Sequence, residues 1–369
     1  METMIADLAT TYRRRRILVT GHTGFKGSWL CFWLDLLGAD VHGLALPPMI
    51  PSAFGDLKVD DFVAGSVTDV RDGAKISAHI ARIEPEVVFH LAAQPLVRAG
   101  WERPLETFDV NVMGTANVLD AAARSASVKA AVVVTTDKCY EETASGDPHR
   151  EDDRLGGADP YSASKAAAEL VVRPYLRGQL MGLDRPPAIA TARAGNVLGG
   201  GDRAADRLIP DVVRALEANS TVTLRRPDDV RPWQHVLDCT SGYLVLGHHL
   251  LQDTAGANSY NFGPDDSPAV TVQELTQKFL DAWGAPSSMV RIERDHTARE
   301  RPLLGLNPNR AREHLGWSAI WDLDRTVLET ARFYRAEPQK RAALAAEQIQ
   351  SYTSEAASAW VRPARTSAR

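Results

Sequence analysis

From Ile17 to Thr191 the chain repeats one arrangement: a short apolar run, a break, then a helical stretch. The apolar runs fall at residues 17–20, 41–46, 61–64, 87–90, 131–134 and 188–191. The spacing predicts helices over 28–37, 73–82, 105–124 and 161–180. Strands separated by helices of this length do not pair as hairpins, because each helix carries the chain back to the start of the next strand. The expectation is an α/β fold built on a doubly wound parallel sheet. Pro174 predicts a kink or an early stop in the last of these helices.

The first turn of the pattern carries a second constraint. Gly21, Gly24 and Gly27 follow a strand and open a helix, as G-x-x-G-x-x-G. Glycines there allow a tight turn and close approach of a pyrophosphate to the helix N-terminus. A dinucleotide is therefore expected. At the end of the second strand an acid would hold a free ribose. Leu46-Pro47-Pro48 stand there instead. No arginine stands there to take a 2′-phosphate, which favours NAD over NADP. Asp69 is placed either to reach the adenine amine or to cap the next helix.

Beyond Ala192 the rhythm changes to loops rich in Gly, Arg and Pro, at residues 195–211, 225–236 and 260–267. They predict a smaller domain over the mouth of the sheet, with a helix at 236–251 returning to the larger one. The Ala-rich tail from Glu337 predicts one helix that then frays.

Composition excludes several classes. A net charge of -5 gives no broad cationic surface for nucleic acid. No run approaches the roughly 18 apolar residues of a membrane span. The first sixteen residues lack a signal peptide's apolar core. Cys31, Cys139 and Cys239 are widely spaced with no C-x-x-C, which points to a reducing compartment, the cytoplasm, rather than to disulfides or zinc. Cys139 reads as a packing residue and Arg13 to Arg16 as solvated. The ten histidines form no H-x-x-x-H or H-E-x-x-H.

The chemistry is expected where the strand at 131–134 ends in Thr135-Thr136-Asp137-Lys138, since open α/β sheets place their sites at the C-terminal ends of strands. Tyr161 and Lys165 follow at i and i+4, on one helix face about 5–6 Å apart. An ammonium beside a phenol favours the phenolate, which predicts a lowered pKa and an acid/base role for Tyr161. Such a pair alone is a weak signal; Thr136, Asp137 and Lys138 upstream give it weight.

Gly21 to Gly27, His90-Leu91-Ala92-Ala93, Asn111, Tyr161 and Lys165 resemble the extended short-chain dehydrogenase/reductase superfamily. Within it, residues 21–30, 90–98, 111–115, 135–140, 159–169, 192–202, 207–211 and 231–236 resemble the CDP-glucose 4,6-dehydratase family. The resemblance implies a Rossmann-type NAD-binding domain over 13–192, with a returning segment at about 233–262. It implies a nucleotide-sugar domain over 193–232 and 263–336, a tail over 337–369, and a homodimer through the helices 105–124 and 161–180. It also implies conversion of CDP-glucose to CDP-4-dehydro-6-deoxyglucose with loss of water.

The residue roles follow from that resemblance. Tyr161 takes the O4 proton as hydride leaves C4, Lys165 supports Tyr161 and the nicotinamide ribose, and Thr136 holds O4. Asp137, kept protonated by burial, protonates the departing C6 hydroxyl. Lys138 takes the C5 proton, where related dehydratases usually have Glu. NAD contacts are implied for Gly21, Thr23, Gly24, Phe25, Lys26, Gly27, Asp69, Val70, Leu91, Ala92, Ala93, Gln94 and Thr135, with Tyr161 and Lys165. Substrate contacts are implied for Gln94, Asn111, Asn196, Arg207, Ile209, Arg231, Trp233 and Arg299. Asn111 stays the Tyr161 region or caps a helix; Trp233 stacks on the base or fills core.

The chain departs from the family pattern at Arg299-Glu300-Arg301-Pro302, at Asn307, and in a short loop at 141–149 without tryptophans. These positions bear on base and sugar, not on the catalytic set. The rival readings are a nucleotide-sugar epimerase, which needs no elimination acid or base, a dehydratase for another nucleotide sugar, and a non-catalytic NAD sensor, which would lose the Tyr/Lys pair.

Overall fold

The structure is a computed structural model that describes residues 4–141, 147–176, 186–252, 258–264, 270–294 and 305–360. Its sheet strands are β1 (Arg16–Thr20), β2 (Asp40–Ala45), β3 (Ala64–Val67), β4 (Val87–His90), β5 (Ala130–Val134), β6 (Ala188–Ala194) and β7 (Ser259–Phe262). Among the described residues these seven form one sheet in the order β7-β6-β5-β4-β1-β2-β3. Every neighbouring pair is parallel. The order reverses direction between β4 and β1, the switch point that opens a crevice at the strands' C-terminal ends.

Alternate side chains along each central strand enter different cores. Ile17 and Val19 of β1, with Val87 and Phe89 of β4, join one cluster; Leu18 and Val88 join the other. Both faces are covered, so these strands read as continuous apolar runs. The first cluster takes in Trp29 and Trp33 from the helix Phe25–Leu36, Tyr243 and Leu244 from Val236–Leu251, and Tyr352 from Arg341–Ala359. The expected helix at 236–251 and the expected tail helix are thus present, and the tail is docked rather than loose. The frayed end expected beyond Trp360 lies outside the described residues.

Three expectations need correction. The third strand runs over 64–67, not 61–64. It is an edge strand with little buried surface, so it carries no apolar signal, and its position is set by contact. A Cβ on Gly65 would lie 3.0 Å from His22 Nε2, and one on Gly43 of β2 only 2.4 Å from His22 Cγ. Glycine at both places lets the His22 ring lie against the two strands.

The arginine run is not simply solvated. A helix Met4–Tyr12 precedes it, and the Tyr12 hydroxyl donates to the Leu244 carbonyl at 2.6 Å. Arg15 bonds Glu86 at 2.6 Å, and Arg16 approaches Glu84 at 3.5 Å. The helix expected at 105–124 is Pro104–Phe108 and Gly114–Arg124 joined through a π-helical turn, Asp109–Met113. The helix bearing Tyr161 is Pro160–Leu176 with Pro174 inside it; the expected continuation to residue 180 lies outside the described residues.

The remaining elements stand over the strand ends. Val222–Leu224 pairs with Val290–Ile292, and Val197–Leu198 with Gln234–His235, both in parallel. Leu198 and Val222 share a third core cluster with Ile209, Trp233, Leu275 and Phe279, and Val290 packs against it.

Candidate active site

A cleft of about 1040 Å³ lies across the C-terminal ends of the sheet strands and under these smaller elements. The glycine turn forms one end. Gly21 has φ +74°, and a Cβ on it would stand 2.7 Å from the Ala92 amide nitrogen. A Cβ on Gly27 would stand 2.1 Å from the Gly21 carbonyl oxygen. Gly24 is the N-cap of Phe25–Leu36 with no capping side chain, so the first amide groups of that helix are left for an anion. Thr23 is fixed by donation to the Leu46 carbonyl at 3.0 Å. These residues fit a dinucleotide pyrophosphate.

Thr68, Asp69 and Val70 extend the cleft past β3, beside Leu46. Here the structure adds something unforeseen: Arg71 lines the same end. Its guanidinium is held by Asp69, at 2.6 Å to Oδ2, and approaches Asp109 at 3.7 Å. The Asp69 carboxylate, held well below its ordinary pKa by Arg71, is therefore engaged with that arginine. The capping role falls to Asp72, which accepts from the Lys75 amide at 3.0 Å.

At the other end Thr135, Thr136, Asp137, Lys138, Tyr161 and Lys165 all reach the cleft. Thr136 caps the short turn Asp137–Cys139 and donates to Asp137 Oδ1 at 2.9 Å. Asp137 is 2 % exposed, and burial raises its carboxyl pKa despite Lys138, Lys26 and Arg231 nearby. The Lys165 ammonium donates to the Val134 carbonyl at 3.2 Å, and burial draws its pKa down to about 8. The lowered phenol pKa expected for Tyr161 is not found. Burial pushes it up to about 12, outweighing the downward pull of the Thr136 hydroxyl and Arg207.

Of the other residues expected to contact NAD, Phe25, Lys26, Leu91, Ala92 and Ala93 line the cleft. Asn196, Arg207, Ile209, Arg231 and Trp233 line it too. Arg207 bonds Asp202 at 2.8 Å. Arg231 and Arg226 both bond Asp229, at 2.9 and 2.8 Å. Trp233 faces the cleft and packs into the third core at once. Arg299 lies outside the described residues.

Gln94 and Asn111 are not among the residues that line the cleft, and their side chains bond into the wall behind it. Asn111 sits in the π-helical turn, which turns its side chain inward. Its Oδ1 accepts from the Gln94 amide at 2.8 Å, and its Nδ2 donates to Ser164 Oγ at 2.8 Å, on the Tyr161 helix. The Gln94 side chain donates to Thr107 Oγ1 at 2.9 Å and accepts from the Leu96 amide at 2.6 Å. Both brace the wall behind the site.

Sequence reasoning did not single out Arg98, Trp101, Arg225 and Arg226, which also line the cleft, nor Glu169 and Arg193 behind it. Four of these six lie inside motifs that carried the resemblance or beside them: Arg98 ends 90–98, Glu169 ends 159–169, Arg193 is the second residue of 192–202, and Trp101 follows 90–98 by three residues. Cys139 is fully buried, which raises its thiol pKa and fits a packing role.

A doubly wound sheet, a glycine turn at its switch point and a buried Tyr–Lys pair define a nucleotide-dependent enzyme that handles a hydroxyl or a ketone. The chain belongs to the NAD-dependent epimerase/dehydratase family, whose model matches residues 17–263. It is 41% identical over 330 residues to a CDP-glucose 4,6-dehydratase of Salmonella typhimurium, covering 88% of this chain and 92% of that one. It is 29% identical to a UDP-glucose 4-epimerase of Mycolicibacterium smegmatis, over 88% of this chain and all of the other. A dTDP-glucose 4,6-dehydratase of Streptomyces venezuelae, solved with NAD bound, superposes with a TM-score of 0.75 at 25% identity, covering 89% of this chain and 99% of that one. The chain is thus an NAD-dependent enzyme of the hydro-lyase class.

Proposed function

We propose that the enzyme converts CDP-glucose to CDP-4-dehydro-6-deoxyglucose and water. The observation that carries this reading is Asp137: a buried carboxyl held toward its neutral form, facing the cleft beside Lys138 and within reach of the Tyr161 region. An epimerase needs the Tyr161–Lys165 pair but has no use for an elimination acid.

A hexose C6 hydroxyl leaves poorly and the C5 proton is not acidic; a ketone at C4 acidifies that proton. NAD, once bound, would supply a hydride acceptor for C4 and a hydride donor for C6. Tyr161, in its phenolate form, accepts the O4 proton while Thr136 holds that oxygen. Asp137 gives its proton to the departing C6 oxygen, and Lys138 removes the C5 proton and later restores it. Over one cycle Tyr161 gains the proton that Asp137 loses, so the two must exchange it before the next turn. Lys165, buried under the site, keeps positive charge beside Tyr161 and the nicotinamide ribose. Arg207 and Arg231 suit the diphosphate, since guanidinium forks match phosphate oxygens. Trp233 suits the base.

The cofactor half is proposed over 13–192 with a return at about 233–262, and the sugar-nucleotide half over 193–232 and 263–336. The enzyme is proposed to be cytoplasmic and to act in deoxysugar synthesis. No helix among the described residues is long and apolar enough to cross a membrane. A homodimer is supported by Leu105, Met113 and Leu170, large apolar side chains exposed on the helical segments at 104–113 and 160–176.

The test is incubation of the pure protein with CDP-glucose and, in parallel, UDP-, GDP- and dTDP-hexoses, followed by mass spectrometry. Loss of one water from CDP-glucose alone is expected. Loss only from another nucleotide overturns the substrate, and a stereoisomer of unchanged mass overturns the dehydration.

A further inference from the structure

Regular strand pairing ends at the close of β5, and Thr136, Asp137 and Lys138 stand on the short turn beyond it. Elimination requires this turn to face the same hexose as Tyr161, which stands on a separate helix. One buried ion pair touches both ends of the segment and that helix. Glu169 follows Tyr161 and Lys165 at the i+8 and i+4 positions, on the same helix face. Its Oε1 accepts from Thr135 Oγ1 at 2.5 Å, one residue before Thr136. Its Oε2 accepts from Arg193 Nη2 at 2.7 Å. Arg193 Nη1 donates to the Tyr140 hydroxyl at 2.7 Å, two residues after Lys138, and Tyr140 donates onward to Asn261 Oδ1 at 2.7 Å. Glu169 and Arg193 are each 2 % exposed, and neither is among the residues lining the cleft. Arg193 and the Thr135 and Thr191 hydroxyls keep the Glu169 carboxyl ionised in spite of burial.

We propose that Glu169 and Arg193 are positioning residues: a clamp that holds the Thr136–Lys138 segment in register with Tyr161 and Lys165, so that oxidation at C4 and elimination across C5–C6 address one bound hexose. The inference rests on the dehydratase reading. Stability alone is a weak reason for this pair, because apolar replacements of a buried ion pair are often neutral or stabilising. Removing one partner instead leaves a bare buried charge, so Glu169→Gln is expected to damage folding as well as function.

Two hydroxyl variants leave the ion pair intact and carry the test. Tyr140→Phe removes the bond that ties the far end of the segment to Arg193. Thr191→Val removes a bond of ordinary length to the same Glu169, at 2.9 Å, but from β6 and not from the segment. The readouts are amide hydrogen exchange over residues 135–140, kcat and KM with CDP-glucose, and the steady-state fraction of cofactor in reduced form by its near-ultraviolet absorbance.

Tyr140→Phe is expected to speed exchange in the segment, lower kcat about tenfold with little change in KM, and raise the reduced fraction several-fold, as oxidation outruns elimination. Thr191→Val is expected to lower Tm and move none of these. Equal behaviour of the two variants, in either direction, overturns the clamp. A wild-type protein that leaves CDP-glucose unchanged while exchange still separates the variants sinks the substrate reading and supports the clamp.

Discussion

The Thr136 hydroxyl donates to Asp137 Oδ1 at 2.9 Å, while Oδ2 of the same carboxyl is buried with no hydrogen-bond partner among the described residues. A carboxylate with one unsatisfied buried oxygen is costly, and a neutral acid costs less. Asp137→Asn keeps shape and polarity but has no acidic proton. It is expected to lower product formation about a hundredfold or more while C4 oxidation continues, so that reduced cofactor builds up during turnover. Full activity in this variant would remove Asp137 from the elimination step.

Lys165 has its pKa drawn down to about 8 by burial and by Lys26. Its positive charge is present below that value and lost above it. The kcat/KM profile is expected to fall on an alkaline limb centred near 8. Lys165→Arg holds its charge over the whole range, so whatever activity it retains should lack that limb. An unchanged limb in the variant assigns it to another group.

Asp238 accepts from the Ile320 amide at 2.7 Å and from the Tyr352 hydroxyl at 2.8 Å, which joins the helix Val236–Leu251 to the C-terminal helix. Burial raises its pKa from 3.8 to about 6. Between those values the folded state binds more protons than the unfolded, so stability falls as pH rises through the window. The full effect is about 3 kcal/mol. Denaturant midpoints measured from pH 4 to 7 should show the fall in wild type and not in Asp238→Asn.

Gly27→Ala would place a Cβ 2.1 Å from the Gly21 carbonyl oxygen, backbone that cannot step aside. The turn must open, at a cost of roughly 1–3 kcal/mol. The variant is expected to lose the thermal shift that NAD gives wild type, a readout that needs no turnover. A shift equal to wild type would show that the turn does not hold the pyrophosphate.

Much of the scaffold is legible because its signals are local. The runs at 17–20, 87–90 and 131–134 are continuous apolar stretches because both faces of those strands are covered, and the strands follow. The edge strand at 64–67 buries little and was misplaced by three residues. The helix Met4–Tyr12 went unread: at nine residues it is too short to carry a periodic pattern on its own, and it holds by docking Leu8 and Tyr12 onto the first core. Cleft residues were legible where a motif sat at a strand end. Spacing does not reveal the π-helical turn at Asp109–Met113, from which Asn111 bonds Ser164 on the Tyr161 helix.

The sequence by itself determined the parallel sheet, the glycine turn and the four-residue spacing of Tyr161 and Lys165, since each depends on neighbours in the chain. The tertiary structure decided the charges. Whether Asp137 is neutral and whether burial or a cation governs Tyr161 depend chiefly on desolvation, and which guanidinium meets Glu169 depends on how the strands and helices pack. Distant segments contribute: Arg231 acts on Asp137 through its charge from 94 residues away, and Asn261 accepts from the Tyr140 hydroxyl from 121 residues away. Spacing fixes which groups can meet; only the packed interior fixes how much water they lose when they do.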